Sequence, residues 1–114
     1  MKRIALTLAA VAVLMGPSLR AQDAKKIADG KQVYNAKECA KCHMIAGKGN
    51  KIGKLDGIAT KLSAADIRKW LVNPAEMEKT LDHKPKVKMS SKEPAMKLKD
   101  AEIDALVAYL QTLK

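Results

Sequence analysis

The chain has 114 residues, with 22 Lys and Arg against 12 Asp and Glu, a formal net charge of +10, no Phe, one Trp, two Tyr and only two Cys. That length fits one small domain, and no internal repeat or low-complexity tract marks a second domain or a solenoid. The basic balance lacks the aromatic-basic interleaving and recognition-helix motif of a nucleic-acid binder, and it points to acidic protein partners instead.

The first piece of the chain reads as a secretory signal peptide over residues 1–21. Basic Lys2-Arg3 precedes an apolar run from Ile4 to Met15, and then come Gly16-Pro17 and the small Ala21. A run of this length is too short to span a bilayer, so cleavage after Ala21 is expected, with residues 22–114 as the mature domain and no stable membrane insertion. Leu19 is less usual than Ala at the third position before such a cut, and an uncleaved membrane anchor is the competing reading. Removing Lys2, Arg3 and Arg20 leaves 19 basic and 12 acidic residues, a net charge of +7.

A helix is expected from about Ala24 to Ala36, with Ile27, Gly30, Val33 and Tyr34 on one face. Glycine inside a helix costs about 1 kcal/mol relative to alanine unless close packing requires it, so Gly30 marks a helix crossing. This helix runs straight into Cys39-Ala40-Lys41-Cys42-His43. The C-x-x-C-H spacing lets two thiols form thioethers to porphyrin vinyl groups while the adjacent imidazole reaches the iron from one face. The chain is therefore read as a c-type haem protein, with Cys39 and Cys42 attaching one haem c and His43 ligating its iron. The alternatives explain less. A thioredoxin-like dithiol would follow a buried strand, a structural zinc site lacks a second paired spacing, and a bare disulfide leaves His43 without a role.

Export and the motif agree, because haem is joined to such cysteines outside the cytoplasmic membrane. The expected compartment is the bacterial periplasm. So small a chain buries only about 60% of its unfolded surface. With no Phe, it needs the haem to complete its core.

From Met44 to Lys61 four glycines and no sustained periodicity read as a long loop around one haem edge. Ser63-Ala64-Ala65-Asp66 is a capping pattern, and Ile67, Trp70 and Leu71 form the apolar stripe of a helix of about ten residues that Asn73-Pro74 interrupts. Pro74-Ala75-Glu76-Met77 can open one further short turn. Lys79 to Lys97 is lysine-rich and aperiodic, with Pro85 and Pro94. A last helix follows from about Asp100 to Leu113, with Ile103, Leu106, Val107, Leu110 and Leu113 on one face. The fold class is all-α around a cofactor.

The opposite face of the iron needs a second ligand. Thioether sulfur suits low-spin haem iron and raises its reduction potential relative to a second imidazole. Of six methionines, Met1 and Met15 leave with the signal peptide and Met44 adjoins His43. Met89 leads the remainder, since its aperiodic segment Lys84-Pro85-Lys86-Val87-Lys88-Met89 can lie across a haem face. Met96 stands close to the last helix, Met77 reads as a core filler, and His83 sits among charges; Met96 and His83 stay open as alternatives.

These residues resemble the class I monohaem cytochromes c, in particular the small bacterial periplasmic type, over the whole mature chain. The resemblance implies the cytochrome c fold, three to five helices wrapped around one covalently bound haem with the N- and C-terminal helices crossing. Gly30, Tyr34, Leu106 and Tyr109 match that crossing. Gly47 to Gly57, Trp70-Leu71-Val72-Asn73-Pro74 and Lys88-Met89 stand where the family has its loop glycines, a Trp-Leu helix end and its Lys-Met ligand segment. Three departures matter. Gly53-Lys54 replaces the usual Gly-Pro whose proline carbonyl holds the proximal imidazole, so the Lys54 carbonyl is expected to take that bond. Ser90 replaces a common proline and is expected to loosen the ligand segment. Lys99 replaces the usual Ser or Thr cap, leaving Asp100 to cap the last helix.

With both axial positions filled, the implied task is one-electron transfer rather than bond-making catalysis. Lys37, Lys41, Lys48, Lys51 and Lys54, with Lys84, Lys86, Lys88 and Lys92, are expected to ring the haem edge and steer acidic-faced redox proteins such as a reductase or terminal oxidase toward a monomeric carrier. The rival readings are a haem subunit of a larger redox complex and a haem enzyme or gas sensor with a labile sixth ligand.

Overall fold

A computed structural model describes residues 19–92 and 96–114. Helix α1 (Leu19–Ala36) leads into a 3-10 turn over Cys39–Lys41 and three short strands, β1 (His43–Ile45), β2 (Lys48–Gly49) and β3 (Gly53–Lys54). Helices α2 (Ile58–Lys61), α3 (Ala64–Val72) and α4 (Pro74–Glu78) follow, then a 3-10 turn over Met89–Ser91 and the last helix, α5 (Asp100–Leu110). The signal-peptide reading falls on residues 1–21, of which 1–18 lie outside the described residues.

The expected crossing of the first and last helices is present. At Gly30 a methyl group would lie 2.0 Å from the Ala105 carbonyl oxygen and 2.6 Å from Tyr109 Cβ, so only glycine lets the two backbones meet there. One turn on, the Tyr34 and Tyr109 rings pack edge to face with centroids 5.9 Å apart. Leu106 is 1% exposed at this junction, and Ile103, Ala105 and Leu110 are also buried. Of the apolar face expected for α5, Ile103, Leu106 and Leu110 are buried and Val107 is half-buried, while the helix ends at Leu110 and leaves Leu113 beyond it. α1 begins at Leu19, earlier than the expected start, because Leu19-Arg20-Ala21-Gln22 are good helix formers that continue the same helix.

Helix α3 closes the other side of this core. Ser63 Oγ caps it by accepting from the Asp66 amide at 3.1 Å, and Ile67 is buried against α5. An Arg68–Asp104 ion pair also joins the two helices. Asn73 ends α3 and caps α4, its side-chain oxygen accepting from the Glu76 amide at 3.4 Å, and Pro74 at the first position of α4 is almost fully buried. The Ala59 amide donates to the Leu113 carbonyl at 2.9 Å, tying α2 to the chain end.

Two local features differ from the sequence expectation. The stretch after the motif is not simply a loop: β1 pairs antiparallel with β2 and parallel with β3, in the order β2-β1-β3. Ala46 (φ 51°) and Gly47 (φ 78°) are both left-handed, as a two-residue hairpin turn needs, and strands this short leave no alternating pattern in the sequence. Asp100 does not cap α5. Lys99 occupies the cap position, and the Glu102 carboxylate accepts its amide at 3.0 Å.

Candidate haem-attachment site

Cys39, Cys42 and His43 come together at the end of α1. Glu38 turns the chain with φ 56°, and Cys39 and Cys42 bracket a single 3-10 turn closed by the Cys42 amide donating to the Cys39 carbonyl at 3.1 Å. Both cysteines are free thiols and half-buried. Burial pushes the Cys39 thiol up, its backbone hydrogen bond pulls the other way, and the neighbouring Cys42 raises it further.

His43 opens β1, where pairing on both sides fixes its backbone. The β3 partner places Gly53 opposite His43, and His43 Nδ1 lies 3.1 Å from the Gly53 carbonyl oxygen. With that carbonyl as acceptor, Nδ1 carries the proton and Nε2 presents a lone pair. Burial pushes the imidazole down, against the pull of the Gly53 carbonyl, so the neutral form that a metal ligand needs is favoured.

The acceptor is Gly53 rather than the expected Lys54. Parallel pairing puts the Gly53 peptide beside the ring, and Lys54 is exposed. A methyl on Gly53 would meet His43 Nδ1 at 2.6 Å and the Cys42 carbonyl at 2.7 Å, so close approach fixes that residue's type. Gly49 is equally constrained on the other side, where a methyl would lie 2.0 Å from the His43 carbonyl. Two further side chains outside the motif support the site. Asn50 donates to the Lys41 carbonyl at 3.0 Å and accepts from the Ile52 amide at 3.0 Å, while Asp56 accepts from the Ala46 amide at 2.9 Å. Asn50-Lys51-Ile52 is legible as an Asx turn; Asp56 carries no local signal.

Met89 stands on a separate segment. It opens the second 3-10 turn, is half-buried, and packs against α4; no hydrogen bond joins its turn to the Cys39–His43 segment among the described residues. Met77 is half-buried in α4, and Met96 lines a surface cleft of about 370 Å³ with Leu71, Leu98 and Ile103. His83 is 76% exposed beside Asp82, as its charged surroundings implied. The expected loosening at Ser90 is not what the contacts show. Its amide and its hydroxyl each donate to the Glu78 carboxylate at 2.8 Å, a support that the sequence does not reveal because the partners are twelve residues apart.

Residues 27–114 match the family described as Cytochrome c. The chain belongs to the cytochrome c family. No curated protein and no solved structure matches it significantly. As a class I cytochrome c it carries one covalently bound haem c and is a haem-based electron carrier. The residues present fit that cofactor: two free, half-buried thiols bracket one turn, and the next residue, His43, holds its imidazole with Nε2 available. Leu55, Ile58, Trp70, Leu71, Met77 and Met89 are all half-buried rather than buried, which suits a broad apolar ring as their neighbour.

Among the described residues no helix is long and apolar enough to cross a membrane. The lysines of the expected rim divide into two groups. Lys37 pairs with Glu102 at 3.7 Å and Lys41 with Glu38 at 2.6 Å, while Lys48, Lys51, Lys54, Lys84, Lys86, Lys88 and Lys92 are exposed and make no salt bridge among the described residues.

Proposed function

We propose that this cytochrome c shuttles single electrons between periplasmic or membrane respiratory partners, with haem c joined to Cys39 and Cys42 and its iron ligated by His43 and Met89. The carrying observation is His43 itself: the Gly53 carbonyl engages Nδ1 at 3.1 Å and leaves Nε2 as the donor atom, beside the two free thiols. The haem iron supplies the one-electron couple. The protein's residues hold its geometry. β1 and β3 fix the imidazole and strengthen it as a donor through the Nδ1 bond. Met89 offers a soft sulfur that favours the reduced state relative to a second imidazole. With both positions filled no site is left for a substrate, so the protein is a carrier and not an enzyme.

The signal-like residues 1–21 support export to the periplasm. Seven exposed lysines without salt bridges among the described residues support docking on acidic-faced reductases or oxidases, through brief encounters of a monomer. Reduced and oxidised spectra of the holo-protein test the ligand set. A near-infrared sulfur-to-iron band that disappears in Met89→Ala is the expected result, together with poor carbon monoxide binding at neutral pH. A band that survives Met89→Ala removes Met89 from the iron. Electron transfer to an acidic partner should slow as ionic strength rises, since exposed charges are screened beyond about 10 Å at 0.1 M salt. Salt-independent rates argue against the lysine rim.

A further inference from the structure

Met89 occupies a turn that has little to hold it from within. Its internal bonds are the Ser91 amide to the Lys88 carbonyl at 3.2 Å, the Lys92 amide to the Met89 carbonyl at 2.9 Å and the Ser91 hydroxyl to the Lys88 carbonyl at 2.6 Å. Before it, residues 82–87 make no backbone hydrogen bond among the described residues. The first amides of any helical turn lack internal partners and need an outside acceptor.

Glu78 is that acceptor. One carboxylate oxygen takes the Ser90 amide and the other the Ser90 hydroxyl, both at 2.8 Å. The Ser90 amide is the main cause holding this carboxyl below the usual range, with smaller contributions from the Ser90 hydroxyl, Lys88 and the Met89 amide. Glu78 is also the last residue of α4, where a negative charge opposes the helix dipole. Its carboxylate makes no hydrogen bond within α4 among the described residues and takes two from the turn it grips. The base is firm, because α4 is capped by Asn73 and anchored by buried Pro74.

We infer that Glu78 is a positioning residue for Met89: its two-oxygen grip on Ser90 fixes the Met89–Ser91 turn on α4 and so holds the methionine sulfur in place as a ligand. The grip supplies by a carboxylate the rigidity that the amide-bearing Ser90 lacks. This rests on the Met89 ligation proposed above.

The test uses oxidised holo-protein and imidazole as a competing ligand, with loss of the near-infrared sulfur-to-iron band as the readout at a temperature well below the melt. Glu78→Ala removes two charge-assisted hydrogen bonds and should tighten apparent imidazole binding at least about 10-fold. Glu78→Gln keeps one acceptor and should give an intermediate effect, about threefold; it serves as the reporting variant where Glu78→Ala does not accumulate with haem. Ser90→Ala should tighten binding about threefold in the parent and have almost no effect on top of Glu78→Ala, because the two act through one contact. Imidazole affinity within twofold of the parent in the Glu78 variants, or full additivity with Ser90→Ala, overturns the inference even where Met89 is the ligand. A parent without the band, or a band that persists in Met89→Ala, overturns the ligand assignment and this inference together. A lowered melting temperature with unchanged imidazole affinity assigns Glu78 to general stability and also overturns it.

Discussion

Gly30→Ala sets helix propensity against packing. Propensity alone predicts a gain of about 1 kcal/mol, because alanine is the better helix former. Packing predicts the opposite. The new methyl would stand 2.0 Å from the Ala105 carbonyl oxygen, 2.6 Å from the Ala105 carbonyl carbon and 2.6 Å from Tyr109 Cβ. Ordinary carbon contacts lie at about 3.5–4.0 Å, and none of these three atoms, two backbone and one Cβ, moves with a rotamer change. Relief requires α5 to retreat from α1, which uncovers Leu106 and Tyr34, 1% and 6% exposed. Overpacking of this kind costs about 1–3 kcal/mol, and a backbone-on-backbone clash belongs at the upper end, so the net loss after the propensity gain is about 2 kcal/mol. For a domain of roughly 60–100 residues this lowers the melting temperature by about 8–16 °C. Thermal unfolding of holo-protein followed by far-ultraviolet circular dichroism measures it. Gly47→Ala is the control: nothing lies within 4 Å of its methyl, so only the strain of φ 78° is felt. A Gly30→Ala protein that melts at or above the parent temperature refutes the close crossing.

Gly53→Ala should drive the imidazole from its carbonyl partner, since the methyl would meet Nδ1 at 2.6 Å. Loss of that bond weakens His43 as a donor and should raise the reduction potential by on the order of 20–60 mV, read by redox titration; an unchanged potential counts against the contact. Tyr34 is pushed up to about 12, first by burial, and its hydroxyl is buried without a partner among the described residues. Because the folded value lies above the ordinary 10, stability is complete below pH 10 and is lost as pH rises from 10 toward 12, by up to about 3 kcal/mol. Tyr34→Phe should abolish that alkaline loss and stabilise the protein by about 1 kcal/mol at neutral pH, while a parent-like alkaline melt in the variant places the titration elsewhere. The paired Cys39→Ser, Cys42→Ser variant should be largely unfolded without haem; full native helicity by circular dichroism contradicts the view that the cofactor completes the core.

Much of this protein is decided locally and is legible in its sequence. The C-x-x-C-H spacing names the cofactor because covalent attachment and ligation need those three side chains within one turn. The Ser63 cap, the break at Asn73-Pro74 and the apolar face of α5 follow from capping and periodicity, which are properties of neighbouring residues. Gly30 was legible as a crossing because glycine in a helix has a cost that only close approach explains. Tertiary structure decided what depends on residues far apart or on strands too short to leave a pattern. Parallel pairing of His43 with Gly53 selected the Gly53 carbonyl over that of Lys54, since sheet register and not residue type sets which peptide faces the ring. Glu102 took the Lys99 amide because the cap position needed an acceptor one turn on, where Asp100 could not reach. The Glu78 grip on Ser90 spans an aperiodic loop, and nothing in either residue's neighbourhood announces it; only the folding of that loop back onto α4 brings a carboxylate to two donors that lacked one.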